Sequence, residues 1–272
     1  MIRLSYIKNY TNIIYGHFVY KLKPTMGNIF RNGQTIYLEK IGSTNTYISK
    51  IAHSLPEGSV VWTINQTNGR GQAENKWESE PNKNLTFSLV LNPQFLQASQ
   101  QFYMSKVIAL GITDFISLHT DNVSIKWPND IFVGDKKIAG ILIENAIERT
   151  YIKQTISGIG INLNQTKFSS NAPNPTSLAL LTGQKYDIES SLFLLIDLIE
   201  YRYSLLKNNE LKTIDTNFNE ILYRNNQLFT YVANGKAFEG TILGVEPTGE
   251  LIIKDKSGKI HKFLHKEVEF TI

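Results

Sequence analysis

The sequence predicts a protein of the mixed α/β (α+β) class, with one large domain followed by a small antiparallel β-barrel. Its 272 residues suffice for one large hydrophobic core and a smaller one. Short β-branched runs alternate with helical spacing up to residue 225, whereas residues 227–272 contain short strands separated by turns. This change in character predicts three units: an N-terminal extension at 1–34, a large domain at 35–225 and a C-terminal domain at 226–272.

Hydrophobic spacing predicts the elements of the large domain in chain order. Alternation over 34–41 indicates a half-buried strand, and Ser43, Thr44 and Asn45 offer N-capping groups to the helix that follows. The later predicted elements are strands at 58–66, 85–91 and 124–127, a helix at about 97–119, a hairpin at 131–145, a strand pair within 150–163 and a helix at 190–208.

The C-terminal unit is predicted to be a small barrel because turn residues recur at short intervals. Asn234-Gly235, Pro247–Gly249 and Lys256–Gly258 each separate two short apolar runs. Such spacing is typical of small antiparallel barrels, in which each turn joins neighbouring strands.

Composition excludes several classes of protein. The absence of cysteine rules out disulfides, cysteine-based zinc sites, thiol catalysis and iron–sulfur clusters, and it suits the reducing cytoplasm, which is the expected location. No run approaches the ~18 apolar residues of a membrane-spanning helix, so no membrane association is expected.

The net charge of +4 is concentrated at the N-terminus. Residues 1–38 contain five basic and no acidic residues, which leaves 23 basic and 24 acidic residues in 39–272. A protein that follows a phosphate backbone needs a dense basic face on its fold. The nearly neutral body therefore argues against a DNA partner, and the role of residues 1–34 stays open.

The glycine pairs do not match the common phosphate-binding loops. Gly69-Arg70-Gly71 and Gly158-Ile159-Gly160 both lack the third glycine of the dinucleotide fingerprint, and the P-loop pattern is absent. His261 and His265 are four residues apart, but the surrounding pattern is that of a strand, which favours surface histidines over a metal site.

Three segments carry charged or small residues that a purely structural role explains poorly. The segment 66–72 places Arg70 between glycines, so its backbone can approach a ligand closely, although a flexible surface loop is the alternative. Lys126 ends an apolar strand before Pro128, and a structural ion pair with Asp130 is the alternative there. Small residues at 139–140 indicate that a flat group packs on the backbone.

Together these motifs resemble the biotin–protein ligase family from residue 36 to residue 272. The motifs that carry the resemblance are Ser43–Asn45, GRG at 69–71, KWPND at 126–130, KKIAGILIE at 136–144 and GIGINLN at 158–164. The resemblance implies a mixed-sheet catalytic domain related to lipoate ligases and a small SH3-like C-terminal domain. About 35 residues precede the first family-like strand, too few for a winged-helix DNA-binding domain.

The resemblance also implies an activity. The protein would activate biotin with ATP as biotinyl-5′-AMP and transfer it to a lysine of an apo biotin carboxyl carrier protein or domain of a biotin-dependent carboxylase. ATP, biotin and Mg²⁺ are the implied ligands, the Mg²⁺ ligands in the protein are unknown, and a homodimer is compatible with the family.

Roles transfer from the family position by position. Lys126 would be the principal catalytic cation and Arg70 the second. The implied substrate-binding residues are Ser43, Thr44, Asn45, Gln66, Arg70, Gly71, Gln72, Lys126, Lys137, Gly140 and Asn162. Gln72 stands where the family usually has arginine, which shifts the neutralisation of phosphate to Arg70, Lys126 and Lys137.

Three other functions remain open on the sequence. The nearest is a lipoate–protein ligase of the same superfamily, since both ligases activate a carboxylate. A non-catalytic biotin-binding protein is the second, and a nucleic-acid-binding module that uses the basic N-terminus and the C-terminal barrel is the third.

Overall fold

The computed structural model describes residues 6–7, 10–15, 18–22, 28–72, 75–169 and 174–271. Near the N-terminus, β1 (Tyr6–Ile7), β2 (Tyr10–Tyr15) and β3 (Phe18–Leu22) form an antiparallel sheet, and α1 (Asn28–Asn32) follows. Part of the predicted extension 1–34 lies outside the described residues, so its status as a separate unit stays a prediction.

A seven-stranded mixed sheet forms the centre of the large domain. Its strands are β4 (Thr35–Leu38), β5 (Val60–Thr63), β8 (Leu85–Leu91), β9 (Val123–Lys126), β10 (Asp130–Val133), β11 (Lys136–Glu148) and β12 (Tyr151–Ile161). Their spatial order is β4-β5-β8-β12-β11-β10-β9, and β4 pairs with β5 in parallel while the other neighbours are antiparallel. Two short strands, β6 (Gly69–Arg70) and β7 (Lys76–Trp77), form a separate hairpin.

Helices cover both faces of this sheet, so β8 is buried at all seven positions and contains mainly apolar residues. On one face lie α3 (Phe102–Ser117) and α5 (Ile188–Lys207), which pack closely because Gly111 faces Ile199 without a side chain. On the other face lies α2 (Thr44–Ile51), with Ile48 buried against the sheet. The chain also forms α4 (Leu178–Thr182), α6 (Leu211–Glu220) and 3₁₀ turns at Ala52–Ser54 and Ala98–Gln100.

Two predicted elements differ from the structure. The strand pair predicted within 150–163 is wrong, because Tyr151–Ile161 is one continuous strand that pairs with β11 on one side and β8 on the other. The reversal precedes it, at Arg149, whose φ is 58°. The predicted helix at 97–119 begins later, at Phe102, after a 3₁₀ turn.

The C-terminal residues form a five-stranded antiparallel sheet that fits an SH3-like domain. Its strands are β13 (Leu228–Ala233), β14 (Lys236–Val245), β15 (Leu251–Asp255), β16 (Ile260–Phe263) and β17 (Val268–Phe270), in the order β16-β15-β14-β13-β17. Asn234 and Gly235 both have positive φ, as the tightest hairpin turns require. The predicted mixed α/β class with this small C-terminal sheet is thereby confirmed, whereas the boundary at 225/226 stays a prediction.

Two buried contacts join the C-terminal sheet to the large domain. Trp127 Nε1 donates a hydrogen bond to Gly249 O at 2.9 Å. Lys106, only 2% exposed, pairs with Asp215 at 2.7 Å and donates to Val245 O at 3.2 Å. The end of β9 is therefore held against the C-terminal sheet. In the part of the chain that the structure describes, the helices are too short or too polar to cross a membrane.

Candidate functional site

A cavity of about 280 Å³ opens where the mixed sheet, the β6–β7 hairpin and the C-terminal sheet meet. We call it the central cavity. The sequence-predicted site residues that line it are Ser43, Thr44, Asn45, Gln66, Arg70, Gly71, Gln72, Lys137 and Gly140. The structure thus brings nine of the eleven predicted residues together, while Lys126 and Asn162 lie elsewhere.

The floor of the central cavity is made of glycines on neighbouring strands, covered by a tryptophan. Gly140 of β11 pairs in register with Gly160 of β12. A Cβ atom at Gly160 would lie 2.3 Å from Trp77 Cε2, and one at Gly140 would lie 3.2 Å from Trp77 Cζ3. The flat group expected on the backbone is therefore the Trp77 ring, and it packs on Gly140, whereas Ala139 is buried in the core.

The Trp77 ring also offers a polar atom. Its Nε1 is buried without a hydrogen-bond partner among the described residues. A buried indole N–H normally finds an acceptor, so Trp77 presents both an apolar surface and a free donor to a bound molecule. Sequence reasoning did not include Trp77 in the site, although its position after the glycine loop was the available signal.

One end of the central cavity is a buried network of polar side chains. The Thr44 backbone N donates to Gln66 Oε1 at 2.9 Å, and Ser88 Oγ lies 2.8 Å from Thr44 Oγ1 and 2.5 Å from Asn45 Oδ1. Thr44, Asn45 and Ser88 are each at most 4% exposed. Ser43 caps α2, the helix that carries Thr44 and Asn45, by accepting from Thr46 N at 3.4 Å. This network fixes the donors and acceptors before any ligand binds.

Ser88 belongs to this network, yet sequence reasoning missed it. It occupies the middle of the buried strand β8, where the local pattern indicates only core. Gly158 on the neighbouring strand leaves the space that Asn45 fills, since a Cβ there would lie 2.3 Å from Asn45 Oδ1. No local feature of LTFSLVL signals this contact across the sheet.

Arg70 spans the mouth of the cavity in an ion pair. Its Nη2 lies 2.9 Å from Glu144 Oε1, and the two side chains are 45% and 37% exposed. Glu144 Oε2 also accepts from Asn45 Nδ2 at 3.0 Å. Ion pairs this exposed contribute at most about 1 kcal/mol, so an anionic ligand can replace Glu144 as the partner of Arg70 at little cost.

Lys137 reaches the interior of the cavity. Its Nζ lies 2.6 Å from Asp130 Oδ1, with each side chain 23% exposed. Its backbone is fixed on both sides, because Lys137 N donates to Asn174 O at 2.9 Å and Lys137 O accepts from Thr176 N at 2.8 Å. The basic residues that line the cavity are Arg70, Lys76, Lys137 and Lys266, against the single acid Asp130. This excess favours anionic ligands.

Lys126 lies outside the lining of the central cavity. Its Nζ stands 4.8 Å from the ring centroid of Phe132, 5.3 Å from that of Phe270 and 6.0 Å from that of Tyr223. Burial lowers its pKa, and the nearby charges of Arg224 and Lys137 lower it further against the opposing effect of Asp130. The ammonium is thus engaged by aromatic faces, a favourable arrangement for a partly buried cation. Phe270 also lines the central cavity, so Lys126 lies behind one of its walls, and its role as principal cation stays a prediction.

Asn162 also does not line the cavity. It is 3% exposed, and its Nδ2 donates to Thr176 O at 2.9 Å while its backbone N donates to Ile138 O. These bonds hold the segment that flanks Lys137, so Asn162 supports the cation from behind.

A second cavity of about 250 Å³ adjoins the first. The two cavities share a wall made of Gln72, Trp127, Pro128, Asn129, Ile141 and His265. Beyond that wall the second cavity is bordered by α3 and by the loops of the C-terminal sheet at Thr248–Gly249 and Leu264–His265. Both cavities therefore depend on residues of the C-terminal sheet.

Among the described residues, no group of three or more histidine, aspartate or glutamate side chains could hold a metal ion by itself. The carboxylate of Asp130 is the acidic group of the cavity lining. One carboxylate together with the phosphate oxygens of a substrate is a common way to hold Mg²⁺.

Comparison with known proteins agrees with this geometry. Residues 37–162 match the Biotin/lipoate A/B protein ligase family. The chain is 31% identical over 242 residues to the Bifunctional ligase/repressor BirA of Bacillus subtilis (strain 168), which covers 86% of this chain and 73% of that protein. It is 28% identical over 239 residues to the Biotin--[acetyl-CoA-carboxylase] ligase of Paracoccus denitrificans, with coverage of 82% and 95%.

A solved structure shares the fold. The biotin protein ligase from Aquifex aeolicus in complex with biotin and ATP superposes with a TM-score of 0.74 at 24% identity, over 88% of this chain and 99% of that one. The Bacillus subtilis relative is 31% identical along most of the chain, and the shared fold agrees with that relationship. This protein belongs to the biotin–protein ligase family.

Proposed function

We propose that this protein is an ATP-dependent ligase that activates biotin as biotinyl-5′-AMP and transfers it to a lysine of a biotin carboxyl carrier domain. One observation carries the proposal: a single cavity joins a buried, hydrogen-bonded polar end to a cationic end across a glycine floor. A ligand with a polar ring system at one end and a carboxylate at the other matches both ends. The relatives named above are biotin ligases, which supports biotin as that ligand.

Biotin would lie along the cavity with its ureido group at the polar end. Thr44, Asn45 and Gln66 supply donors and acceptors there, and their mutual hydrogen bonds orient them in advance. The Trp77 ring covers the apolar part of the molecule. The carboxylate then points towards Lys137, at the opposite end of the lining.

In the first half-reaction a biotin carboxylate oxygen attacks the α-phosphorus of ATP, and pyrophosphate leaves. The transition state spreads negative charge over the phosphate oxygens, so positioned cations lower its energy. Lys137 is the cation that we assign to this role in place of Lys126, because its ammonium lies in the cavity lining. Arg70 is the second, since its exposed pair with Glu144 can open for a phosphate.

The residues present fit an Mg²⁺ ion that enters with ATP. When bound, Mg²⁺ would supply positive charge that offsets the negative charge of the phosphate groups. Asp130 would hold it, because its Oδ1 is buried in the cavity lining and its partner there is Lys137, a group that can turn to the substrate.

In the second half-reaction the ε-amine of the carrier lysine attacks the acyl carbon of the adenylate, and AMP leaves. The carrier protein must therefore reach the mouth of the cavity. Loops of the C-terminal sheet form part of that mouth, through His265 and Lys266.

The test is incubation with ATP, Mg²⁺, biotin and an apo carrier domain, followed by intact mass measurement. The proposal expects addition of one biotinyl group to the carrier, and no addition when ATP is omitted. Lipoate in place of biotin tests the lipoate-ligase alternative, and modification by lipoate alone would overturn the proposal. Biotin binding without release of pyrophosphate would indicate a non-catalytic binding protein instead.

A further inference from the structure

The second cavity has one titratable side chain in its lining, and that side chain also lines the central cavity. The residue is His265, in the loop between β16 and β17. The rest of the described lining of the second cavity is apolar or carries amides, hydroxyls and backbone groups. His265 is therefore placed between the space assigned to the adenylate and a second space that leads to solvent.

The loop that carries His265 is held in place. Leu264 N donates to Glu267 Oε2 at 2.7 Å, and Glu267 N donates to Leu264 O at 3.0 Å. The imidazole packs edge-on against Trp127, with ring centroids 6.2 Å apart and planes at 77°. Since Trp127 is itself bonded to Gly249, the imidazole has a defined position beside the end of β9.

The second half-reaction needs a base, because a lysine side chain is protonated at neutral pH and an ammonium has no lone pair with which to attack. Two groups of the cavity linings could take that proton, Asp130 and His265. Asp130 Oδ1 is already engaged by Lys137 Nζ at 2.6 Å, so that oxygen is occupied before the acceptor lysine arrives. No described residue forms an ion pair or hydrogen bond with the His265 imidazole, and this side chain is exposed to solvent.

We propose that His265 is the general base that deprotonates the acceptor lysine as it enters through the second cavity. The inference rests on the proposed function and deepens it. The acceptor –NH₃⁺ gives one proton to the imidazole, and the exposed ring passes it to water. The neutral amine then attacks the acyl carbon, the C–O bond to AMP breaks with its electron pair on the phosphate, and water takes the second proton from the new amide nitrogen.

The charges around the ring agree with this role. Although the ring is largely exposed, partial burial lowers the pKa of His265 below its ordinary value of about 6.5, the adjacent Lys266 lowers it further, and Asp130 acts in the opposite direction. The imidazole is therefore neutral at pH 7 and ready to accept a proton.

The experiment isolates the second half-reaction. Purified biotinyl-5′-AMP is supplied to the full-length protein, and transfer to an apo carrier domain is measured in a single turnover across pH 6 to 10. His265→Gln is expected to slow transfer by about 10²-fold near pH 7, the lower end of what general bases contribute. The deficit should shrink as pH rises and the lysine loses its proton unaided. His53→Gln, at an exposed position that lines neither cavity, is the matched control.

A second acceptor separates catalysis from structure. Hydroxylamine is already neutral at pH 7 and needs no base, so His265→Gln should discharge the adenylate to hydroxylamine at the rate of the unaltered protein. Equal slowing with both acceptors, or an unchanged rate with the carrier, would overturn the inference. So would a pH-dependent deficit in Asp130→Asn that His265→Gln lacks, because Asp130 would then be the base.

Failure of the proposed function has a different signature. If the unaltered protein does not exchange pyrophosphate into ATP in the presence of biotin, the ligase proposal fails whatever the His265 variants do. If the unaltered protein exchanges pyrophosphate and transfers biotin to the carrier, a normal transfer rate in His265→Gln overturns only the assignment of His265 as the general base.

Discussion

Lys137 Nζ lies 2.6 Å from Asp130 Oδ1 inside the central cavity, and this pair joins two strands at the point where the substrate carboxylate is expected. Lys137 stands in β11 and Asp130 begins β10, two antiparallel neighbours. The carboxylate holds the ammonium in place before substrate binds. When an anionic substrate arrives, the ammonium can turn to it over a short distance, so little reorganisation is needed.

This relationship predicts a clear difference between two lysines. Lys137→Met should slow adenylate formation by about 10²-fold, the usual cost of one preorganised charge-stabilising donor. Lys126→Met keeps the length of the side chain and removes its charge in the same way. The Lys126 ammonium, however, packs against the rings of Phe132 and Phe270, and Lys126 does not line the cavity. This variant should slow adenylation much less. Pyrophosphate exchange measures both variants, and an equal loss in the two would reject Lys137 as the principal cation.

The glycine floor predicts a binding defect without a charge change. Gly160→Ala places a methyl group 2.3 Å from Trp77 Cε2, so the ring must move. Because Trp77 covers the proposed biotin site, biotin binding should weaken by about tenfold or more, equivalent to about 1.4 kcal/mol. Titration calorimetry with biotin measures the effect.

The control for that variant is Gly42→Ala, a position where an added Cβ meets nothing within 4 Å. It should bind biotin normally. If Gly160→Ala binds biotin as tightly as Gly42→Ala does, the Trp77 ring is not part of the biotin site.

The sequence predicts those parts of the site whose residues are close together along the chain. It does not predict contacts between residues that are far apart in sequence. Ser43–Asn45, the glycine loop and Lys137 were found because short motifs carry them. The direction of the Lys126 side chain could not be predicted in this way, because Lys126 contacts Phe270, which lies far along the chain. His265 could be identified only as a surface histidine, because its place beside Trp127 depends on how the C-terminal sheet docks.

The same reason explains the misassigned strand pair. A local pattern over residues 150–163 records apolar alternation but not how many partners the segment has. Tyr151–Ile161 lies between β8 and β11 and pairs with both along most of its length, which requires one long strand. Pairing across the sheet thus decides what local composition leaves open.

The long helix behind the sheet carries a pH-dependent cap. Asp187 accepts from Ser190 N at 2.8 Å, and this hydrogen bond lowers the pKa of its carboxyl group. Because this pKa is lower in the folded protein than the value of about 3.9 in the unfolded chain, the ionised carboxylate stabilises the fold above that pH. The stabilisation is lost as pH falls and the carboxylate becomes protonated. Asp187→Ala should lower the free energy of unfolding by about 1 kcal/mol at pH 7.

That difference should be smaller at about pH 2 than at pH 7, because protonation removes the negative charge of the cap. Urea denaturation at the two pH values measures it, with the exposed Asp121→Ala as control. A loss of the same size at both pH values would show that the charge of Asp187 does not contribute to the cap.

Arg70 predicts a defect in retaining the intermediate. Arg70 lines the cavity, and both side chains of its pair with Glu144 are more than a third exposed, so Arg70→Ala should change the thermal midpoint little. With the closing cation removed, the adenylate should escape or hydrolyse before the carrier lysine arrives. Single-turnover assays without carrier should therefore show free biotinyl-5′-AMP or AMP accumulating faster than in the unaltered protein.

The control variant is Glu144→Gln, which frees Arg70 from its ion pair while the arginine keeps its charge, so this variant should keep the adenylate bound. If Arg70→Ala releases no more adenylate than Glu144→Gln does, closure of the cavity does not depend on the guanidinium.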